Sequence, residues 1–264
     1  MNKDSLGDRM KTYERVTRYY LTRRMPTIIR IDGKAFHSFT KGFKKPFDDI
    51  LINSMQETAK YLCENIQGCK IAYTQSDEIS LLLTDYDDIN TSAWFDNNIS
   101  KIISISASTA TLAFNKNFKK NANNMNSNDF KTLEEYLNIN NIYRKKLFSA
   151  LFDSRVFNIP KEDVCNYFIW RQQDCIRNSI EMVGRTYFSH KQLYKVNCSQ
   201  IYNKLLQEKS VDWNKFPTYK KRGSCIKKDI YHLNNDDNTQ RSRWIIDKDI
   251  PVFTENRDYI EKYL

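Results

Sequence analysis

Two short apolar segments, each ending at a carboxylate, constrain the fold of this chain most. The first is Ile28-Ile-Arg-Ile-Asp32, and the second is Ile71-Ala-Tyr-Thr-Gln-Ser-Asp77, which continues through Glu78 to Leu83. Runs of this kind predict strands. The segment between them has helical spacing of apolar residues, so we expect Asp32 and Asp77 to lie side by side at the ends of neighbouring strands.

A pair of carboxylates at strand ends favours a metal site. Mg²⁺ prefers carboxylate oxygens, and two divalent ions can activate an attacking hydroxyl and neutralise a leaving pyrophosphate. Gly33 lets the backbone come close, and its carbonyl is a further candidate ligand. The alternative is structural: Asp32-Gly33 as an ordinary turn and Asp77-Glu78 as a hairpin tip. Either segment alone favours the structural reading, whereas the two together favour a site.

The order of predicted elements is β-α-β-β-α-β. Strands are predicted at 27–32, 70–74, 79–83 and near 148–158, and helices at 47–66 and 94–114. Further helices are expected at 5–22, after Pro160 and at 189–209, and an exposed polar loop at 119–128. We predict an α+β fold with a ferredoxin-like, polymerase-palm-like core, followed by C-terminal helices and small β elements.

The charge predicts a polyanionic partner. The 264 residues carry a net charge of +10, and basic surfaces gain from counterion release on binding phosphate-rich ligands. A merely soluble basic protein is the alternative. The six cysteines show no zinc-ligand spacing, which favours free thiols in a reducing compartment.

No apolar run is long enough for a membrane span. The N-terminus is basic, but its acidic residues (Asp4, Asp8 and Glu14) are atypical of a transit peptide. We therefore expect a cytoplasmic location without membrane association, with the mitochondrion as the alternative.

Five further motifs carry a family resemblance: Arg30-Ile-Asp-Gly-Lys-Ala-Phe-His37, Phe43-Lys-Lys-Pro-Phe-Asp48, Gln75-Ser-Asp-Glu78, Phe152-Asp-Ser-Arg155 and Trp170-Arg-Gln-Gln-Asp-Cys175. In order and spacing the chain resembles the tRNA-histidine guanylyltransferase (Thg1) superfamily, specifically its Thg1-like branch. The resemblance implies a two-metal, Mg²⁺-dependent 3′-5′ polymerase that uses ATP, GTP and other NTPs on tRNA, and a homotetramer.

One departure from the family pattern bears on the substrate. Members that add the extra guanylate to tRNA-His carry His-Ile-Asn-Asn where this chain has Ile176-Arg-Asn-Ser179. Its absence resembles Thg1-like proteins, which repair 5′-truncated tRNAs by templated addition. We therefore expect 5′-end repair, with addition of the G-1 nucleotide to tRNA-His as the alternative.

The metal and nucleotide residues are assigned beside that resemblance. Asp32, the Gly33 carbonyl and Asp77 are the expected metal ligands, and Glu78 is expected to help them as a catalytic residue. The backbone of Lys34, Ala35, Phe36 and His37 is expected to cradle a triphosphate, and Ser76 to donate to phosphate. For His37, a structural hydrogen bond is an equal alternative.

Two lysines gain a role only through the resemblance, since a solvated surface lysine is the usual case. It assigns Lys45 to activation of the 5′ phosphate and Lys101 to a triphosphate contact.

Other residues are candidates for RNA contact. Arg171, Asp174 and Asn178 share one helical face by their spacing, which suits either an ion pair or RNA. Trp170 is expected in the core rather than as a base-stacking platform. Lys220, Lys221 and Arg222 open a basic stretch that suits tRNA phosphates, with a solvated hairpin as the alternative.

The predicted division of the chain follows from these assignments. Residues 1–160 are expected to form the palm-like catalytic core, and 161–264 a helical and basic part that completes the core and contacts tRNA. Two other functions fit less well. A nucleotide cyclase of the same palm type does not explain the charge, and an RNA-binding module with an RRM-like sheet does not need the two aspartates.

Overall fold

The computed structural model describes residues 5–232 and 240–264. The helices are α1 (Ser5–Arg15), α2 (Phe36–Phe39), α3 (Asp49–Asn65), α4 (Ile99–Asn123), α5 (Leu133–Lys146), α6 (Lys161–Tyr187), α7 (His190–Leu193), α8 (Cys198–Lys209), α9 (Thr218–Arg222) and α10 (Asp258–Glu261). The strands are β1 (Thr27–Gly33), β2 (Cys69–Gln75), β3 (Glu78–Leu83), β4 (Phe152–Asn158), β5 (Ser224–His232) and β6 (Gln240–Asp247). No helix within these residues is both long and apolar enough to cross a membrane.

All six strands form one antiparallel sheet in the order β4-β1-β3-β2-β5-β6. The first four, with α3 and α4 as the crossovers, form the predicted ferredoxin-like unit. The α+β, palm-like prediction is therefore confirmed. The strands β5 and β6 extend the same sheet, and the division of the chain at residue 160 stays a prediction.

The strands carry apolar side chains on both faces of the sheet, which explains why helices cover both faces. Ile29 and Ile31 of β1 point to the α3 and α4 side, whereas Ile28 points to a second core with α6 and the C-terminus. Nearly every residue of β2 and β3 is buried because both faces are covered. The sheet is thus a rigid central layer that holds the side chains at its strand ends in fixed positions.

An aromatic cluster fills the core between α3, α4 and α5. Phe118 is fully buried, and its ring centroid lies 5.4 Å from that of Phe39 and 5.6 Å from that of Tyr143. Phe43 stacks on Phe118 at 5.7 Å. This packing anchors the segment between β1 and α3, because Phe39 and Phe43 belong to it.

Several predicted boundaries were wrong. The segment 119–128 is not wholly a loop, because α4 continues to Asn123 and buries Ala122. The helix expected at 189–209 is two helices, α7 and α8, and each begins with a capping box at Ser189 or Asn197. The first helix ends at Arg15 rather than near 22. All six cysteines are free thiols.

Truncation of Phe118 tests the aromatic cluster. We expect Phe118→Ala to lower the free energy of unfolding by about 3–5 kcal/mol, because the fully buried ring leaves a cavity among other rings. Chemical denaturation measures this difference. Leu112→Ala on the same helix is the control: Leu112 is 52% exposed, and its loss should cost under about 0.5 kcal/mol. Equal losses in the two variants would contradict the cluster's role.

Candidate functional site

An open cleft of about 560 Å³ lies at the end of the sheet where strand β1 ends and β2 turns into β3. Its walls come from three segments that are distant in sequence: the chain after β1, the β2–β3 turn and one face of α6. The lining includes Asp32, Gly33, Ala35, Phe36, His37, Lys45, Ser76, Asp77, Asn178, Glu181, Met182 and Arg185.

The two predicted aspartates lie together in this cleft. Antiparallel pairing sets Asp32 opposite Glu78, and the amide of Gly33 donates to the carbonyl of Asp77 at 3.1 Å. Burial raises the pKa of Asp77, and the charge of Asp32 raises it further, while the Ser76 hydroxyl lowers it by donating to Asp77 Oδ1 at 2.9 Å. Within residues 5–232 and 240–264, neither Asp32 nor Asp77 forms an ion pair with a cation.

The backbone around the aspartates is constrained. Ala35 and Ser76 both line the cleft in the left-handed region, with φ of 54° and 49°. Such conformations in non-glycine residues cluster at functional sites. At Gly33, a β-carbon would collide with the Phe36 ring. Glycine is therefore required there because the ring covers the backbone, a reason that the sequence did not indicate.

The segment 44–48 is held in place through Asp48. Its buried carboxylate accepts from the amides of Lys44 and Leu51 at 3.0 and 2.9 Å and from the Tyr143 hydroxyl at 2.6 Å. Burial and the Asp48 charge raise the pKa of Tyr143, so this hydroxyl stays protonated and donates. These bonds fix the backbone beside Lys45, whose exposed side chain lines the cleft.

The Glu78 carboxylate is paired within the protein, and its expected role as an outer-shell or direct catalytic helper stays a prediction. Arg171 of α6 grips its carboxylate with two hydrogen bonds of 2.8 and 2.7 Å, and both side chains are 8% exposed. Burial raises the pKa of Glu78, against the opposing effect of Arg171. Arg171 also bonds Asp174 at 2.9 Å. Of the two alternatives for Arg171, the structure therefore shows the ion pair.

Two predicted nucleotide contacts lie outside the cleft lining. Lys34 is exposed, and its amide donates to the carbonyl of Leu151 at 2.9 Å, so this amide is already used. Lys101 is exposed in the first turn of α4, with its Nζ 5.9 Å from the Phe95 ring centroid. By contrast Ala35, Phe36, His37 and Ser76 line the cleft, and their contact with a triphosphate stays a prediction.

The predicted basic RNA contacts all have partners within the protein. Lys220 forms an ion pair with Asp49 at 2.7 Å, Lys221 donates to the Asn214 carbonyl, and Arg222 donates to the Ile250 carbonyl. The stretch is not a hairpin, since α9 ends at Arg222 and β5 then pairs with β2. RNA contact by these residues stays a prediction.

Sequence reasoning missed one wall of the cleft. Glu181, Met182 and Arg185 line it together with Asn178, and Arg185 bonds Glu181 at 2.6 Å. Their spacing of three, four and seven residues from Asn178 was the available signal, because residues so spaced share one helical face. The expectation that Trp170 lies in the core was wrong, since its side chain is 48% exposed.

A palm-type sheet with a carboxylate pair at one edge is an arrangement that suits metal-assisted transfer of phosphate-bearing groups. Comparison with known proteins gives the class directly. The family model "Thg1: tRNAHis guanylyltransferase" matches residues 7–160. The chain therefore belongs to the tRNAHis guanylyltransferase (Thg1) family, whose members are nucleotidyltransferases, and the predicted resemblance is confirmed.

Solved structures agree with this assignment along the whole chain. A bacterial Thg1-like protein in complex with ATP is 44% identical, with a TM-score of 0.83 and coverage of 98% of both chains. The structure described as a bacterial Thg1-like protein in complex with GTP is 42% identical, with a TM-score of 0.78, and the match covers 98% of this chain and 99% of that one. The tRNA(His) guanylyltransferase of Schizosaccharomyces pombe is 30% identical over 175 residues, which is 65% of this chain and 56% of that protein.

The buried Glu78–Arg171 pair supports a prediction about stability. We expect Arg171→Met to lower the free energy of unfolding at pH 7 by about 3–5 kcal/mol, because it leaves a buried carboxylate without its partner. In the variant the folded-state pKa of Glu78 rises further above its unfolded value. Stability linked to Glu78 is then present at low pH and lost as pH rises.

The deficit relative to the unmodified protein should therefore shrink between pH 8 and pH 5, as measured by denaturation at each pH. Arg177→Met is the matched control, because Arg177 bonds Asp174 on the same helix but is 55% exposed. Its effect should stay within about 1 kcal/mol. A deficit for Arg171→Met that does not change with pH would contradict the proposed cause.

Proposed function

We propose that this chain is a template-dependent 3′-5′ nucleotidyltransferase that repairs the 5′ end of truncated tRNAs. The observation that carries the proposal is the cleft of a Thg1-family chain in which Asp32 and Asp77 lie together without a cationic partner among the described residues, beside Lys45 and Ser76. Family membership supports the substrate class. The bacterial Thg1-like structures, which hold ATP and GTP, support nucleoside triphosphates as substrates.

The residues present fit a divalent cation. Burial and, after it, the charge of Asp32 raise the pKa of Asp77, and a bound cation offsets both effects. No group of three or more His, Cys, Asp or Glu side chains suited to a metal occurs in the described part of the chain. Asp32, Asp77 and the Gly33 carbonyl are the groups that would hold Mg²⁺, whose remaining ligands would then come from substrate or water. When bound, the ions lower the pKa of the attacking hydroxyl and stabilise charge on the phosphates.

The chain's own groups orient the reactants. The Ser76 hydroxyl fixes the Asp77 carboxylate through its hydrogen bond. Lys45, held by the Asp48 network, presents its ammonium group to the 5′ phosphate. ATP would activate a 5′ monophosphate by transferring AMP to it with release of pyrophosphate. The 3′-hydroxyl of the incoming NTP would then lose its proton, attack the activated 5′ phosphorus and displace AMP. The opposing base of the acceptor stem then selects the NTP by pairing, so the protein needs to recognise only RNA shape and the 5′ end.

The repair activity is supported by the absence of the His-Ile-Asn-Asn tetrapeptide, in whose place α6 carries Ile176-Arg-Asn-Ser179. Ser179 is buried and used internally: its hydroxyl donates to the Lys221 carbonyl and accepts from the Trp213 indole. Arg177 pairs with Asp174 at the surface. Only Asn178 of the four lines the cleft. The Ser179 side chain therefore joins α6 to the segment 213–221 and does not face the cleft.

We further propose that the protein forms the homotetramer that the resemblance implied.

The second candidate is G-1 addition to tRNA-His. The names of the family and of the Schizosaccharomyces pombe relative favour it. The two functions differ in whether the opposing base decides which nucleotide is added.

A labelled tRNA lacking its first nucleotide separates the two functions. With Mg²⁺ and each NTP supplied singly, we expect the added nucleotide to follow the opposing base when that base is changed. Gel analysis of the 5′ end after one addition gives the readout. Addition of guanylate opposite every base would overturn templated repair and support G-1 addition.

Replacing the aspartates tests the metal assignment. We expect Asp32→Asn or Asp77→Asn to lower the addition rate on the order of 10³-fold or more, because metal charge stabilisation amounts to several kcal/mol. The free energy of unfolding should not fall, since the change removes a repulsion. Asp153→Asn is the matched control: Asp153 lies opposite Asp32 in the β1–β4 register but is 58% exposed. Normal activity in either cleft variant would refute the assignment.

A further inference from the structure

Trp170 is placed unusually for an indole on a long helix. Its side chain is 48% exposed, while the neighbouring Phe168 is fully buried. The guanidinium carbon of Arg171 lies 4.4 Å from the Trp170 ring centroid, and the Tyr167 ring packs edge-on at 5.9 Å. Arg171 is locked by Glu78, so these contacts hold the indole in one place. The result is a fixed aromatic surface that is open to solvent.

Two arginines of the sheet lie beside this ring. Arg30 of β1 has its guanidinium carbon 6.0 Å from the Trp170 centroid, and its buried Nε has no hydrogen-bond partner in the described part of the protein. Arg155 of β4 lies directly opposite Arg30, so the two side chains share a face. Arg155 is 50% exposed, and its ion pair among the described residues is a 3.4 Å contact with Asp153. Arg30, Arg155 and Trp170 together are called the Trp170 shelf below.

The shelf adjoins the cleft through β1. Side chains of Arg30 and Asp32 are two residues apart on the same strand and therefore point to the same face of the sheet. Alternation thus puts the shelf about 7 Å along the strand from the carboxylate. None of the three shelf residues lines the cleft itself. A chain that enters over Arg155 of the edge strand β4 and continues along β1 to Asp32 passes over the shelf.

We propose that the Trp170 shelf binds the end of the RNA substrate, with a base stacked on Trp170 and its phosphate held by Arg30 and Arg155. The inference rests on the proposed function. Stacking on an indole tolerates every base, because each has a π-face. The arginines supply charge for the phosphate and leave base identity unread. This suits an enzyme in which pairing with the template selects the nucleotide.

An RNA end fits the shelf better than a free nucleotide does. The cleft of about 560 Å³ is enclosed on three sides by the chain after β1, the β2–β3 turn and α6, and such concave sites suit small ligands. The shelf is a surface beside the edge strand β4, and it offers one ring and two cations. It can steer a polymer that extends beyond the protein.

RNA affinity without catalysis tests the shelf. A 3′-labelled tRNA lacking its first nucleotide is titrated in EDTA without nucleotides, and binding is followed by anisotropy. We expect Trp170→Ala to raise the Kd about tenfold and Trp170→Phe to restore it to within about twofold, because a phenyl ring still stacks. Arg155→Gln should lower the slope of log K against log salt by about one. ATP affinity, measured separately by calorimetry, should not change in Trp170→Ala.

Tyr194→Ala is the matched control, since Tyr194 is an exposed aromatic residue, at 64%, with Lys195 near its ring. Its Kd for RNA should stay within about twofold of the unmodified protein. An unchanged RNA Kd in Trp170→Ala overturns the inference. Lower ATP affinity with unchanged RNA affinity overturns it in favour of a nucleotide site. Because no metal is present, these outcomes do not depend on whether templated addition occurs.

Discussion

The antiparallel pairing of β1 with β3 is the constraint on which the rest of the site depends. Its register puts Asp32 opposite Glu78, and the bond from the Gly33 amide to the Asp77 carbonyl closes the end of the ladder. A shift of one residue would turn Asp32 to the other face of the sheet. Because helices bury both faces, such a shift is strongly opposed, and the carboxylate pair is held by the whole core.

Three acidic residues at this end of the sheet differ in their partners, and the packing of α6 against the sheet causes the difference. Glu78 is neutralised by Arg171 from α6, which ties the β2–β3 turn to that helix. Asp32 and Asp77 are left facing the cleft with mutual repulsion. One acid therefore serves the architecture and two stay available for a cation. Arg171 also packs against the Trp170 ring, so the same residue stabilises the β2–β3 turn and the proposed RNA-binding surface.

Periodicity and strand composition predicted the element order and the adjacency of Asp32 and Asp77, because strand ends and amphipathic helices are local patterns. The polar stretch after Lys119 was misread as a loop, since the burial of Ala122 that favours helix there depends on tertiary packing. Trp170 was misplaced because a large apolar side chain suggests burial, whereas the buried face of α6 runs through Val164, Phe168 and Cys175 at helical spacing and Trp170 lies off that face.

The sequence by itself determined the βαββαβ order, the carboxylate pair and the family, because each rests on short local runs of residues that can be recognised without knowing which runs meet in space. Only the tertiary structure decided that Glu78 forms a buried ion pair with Arg171, that Arg185 lines the cleft, and that Lys101 lies outside the cleft lining. The physical reason is that charge pairing and burial depend on which distant elements meet. A carboxylate buried against a guanidinium and one facing a cleft look the same in a sequence.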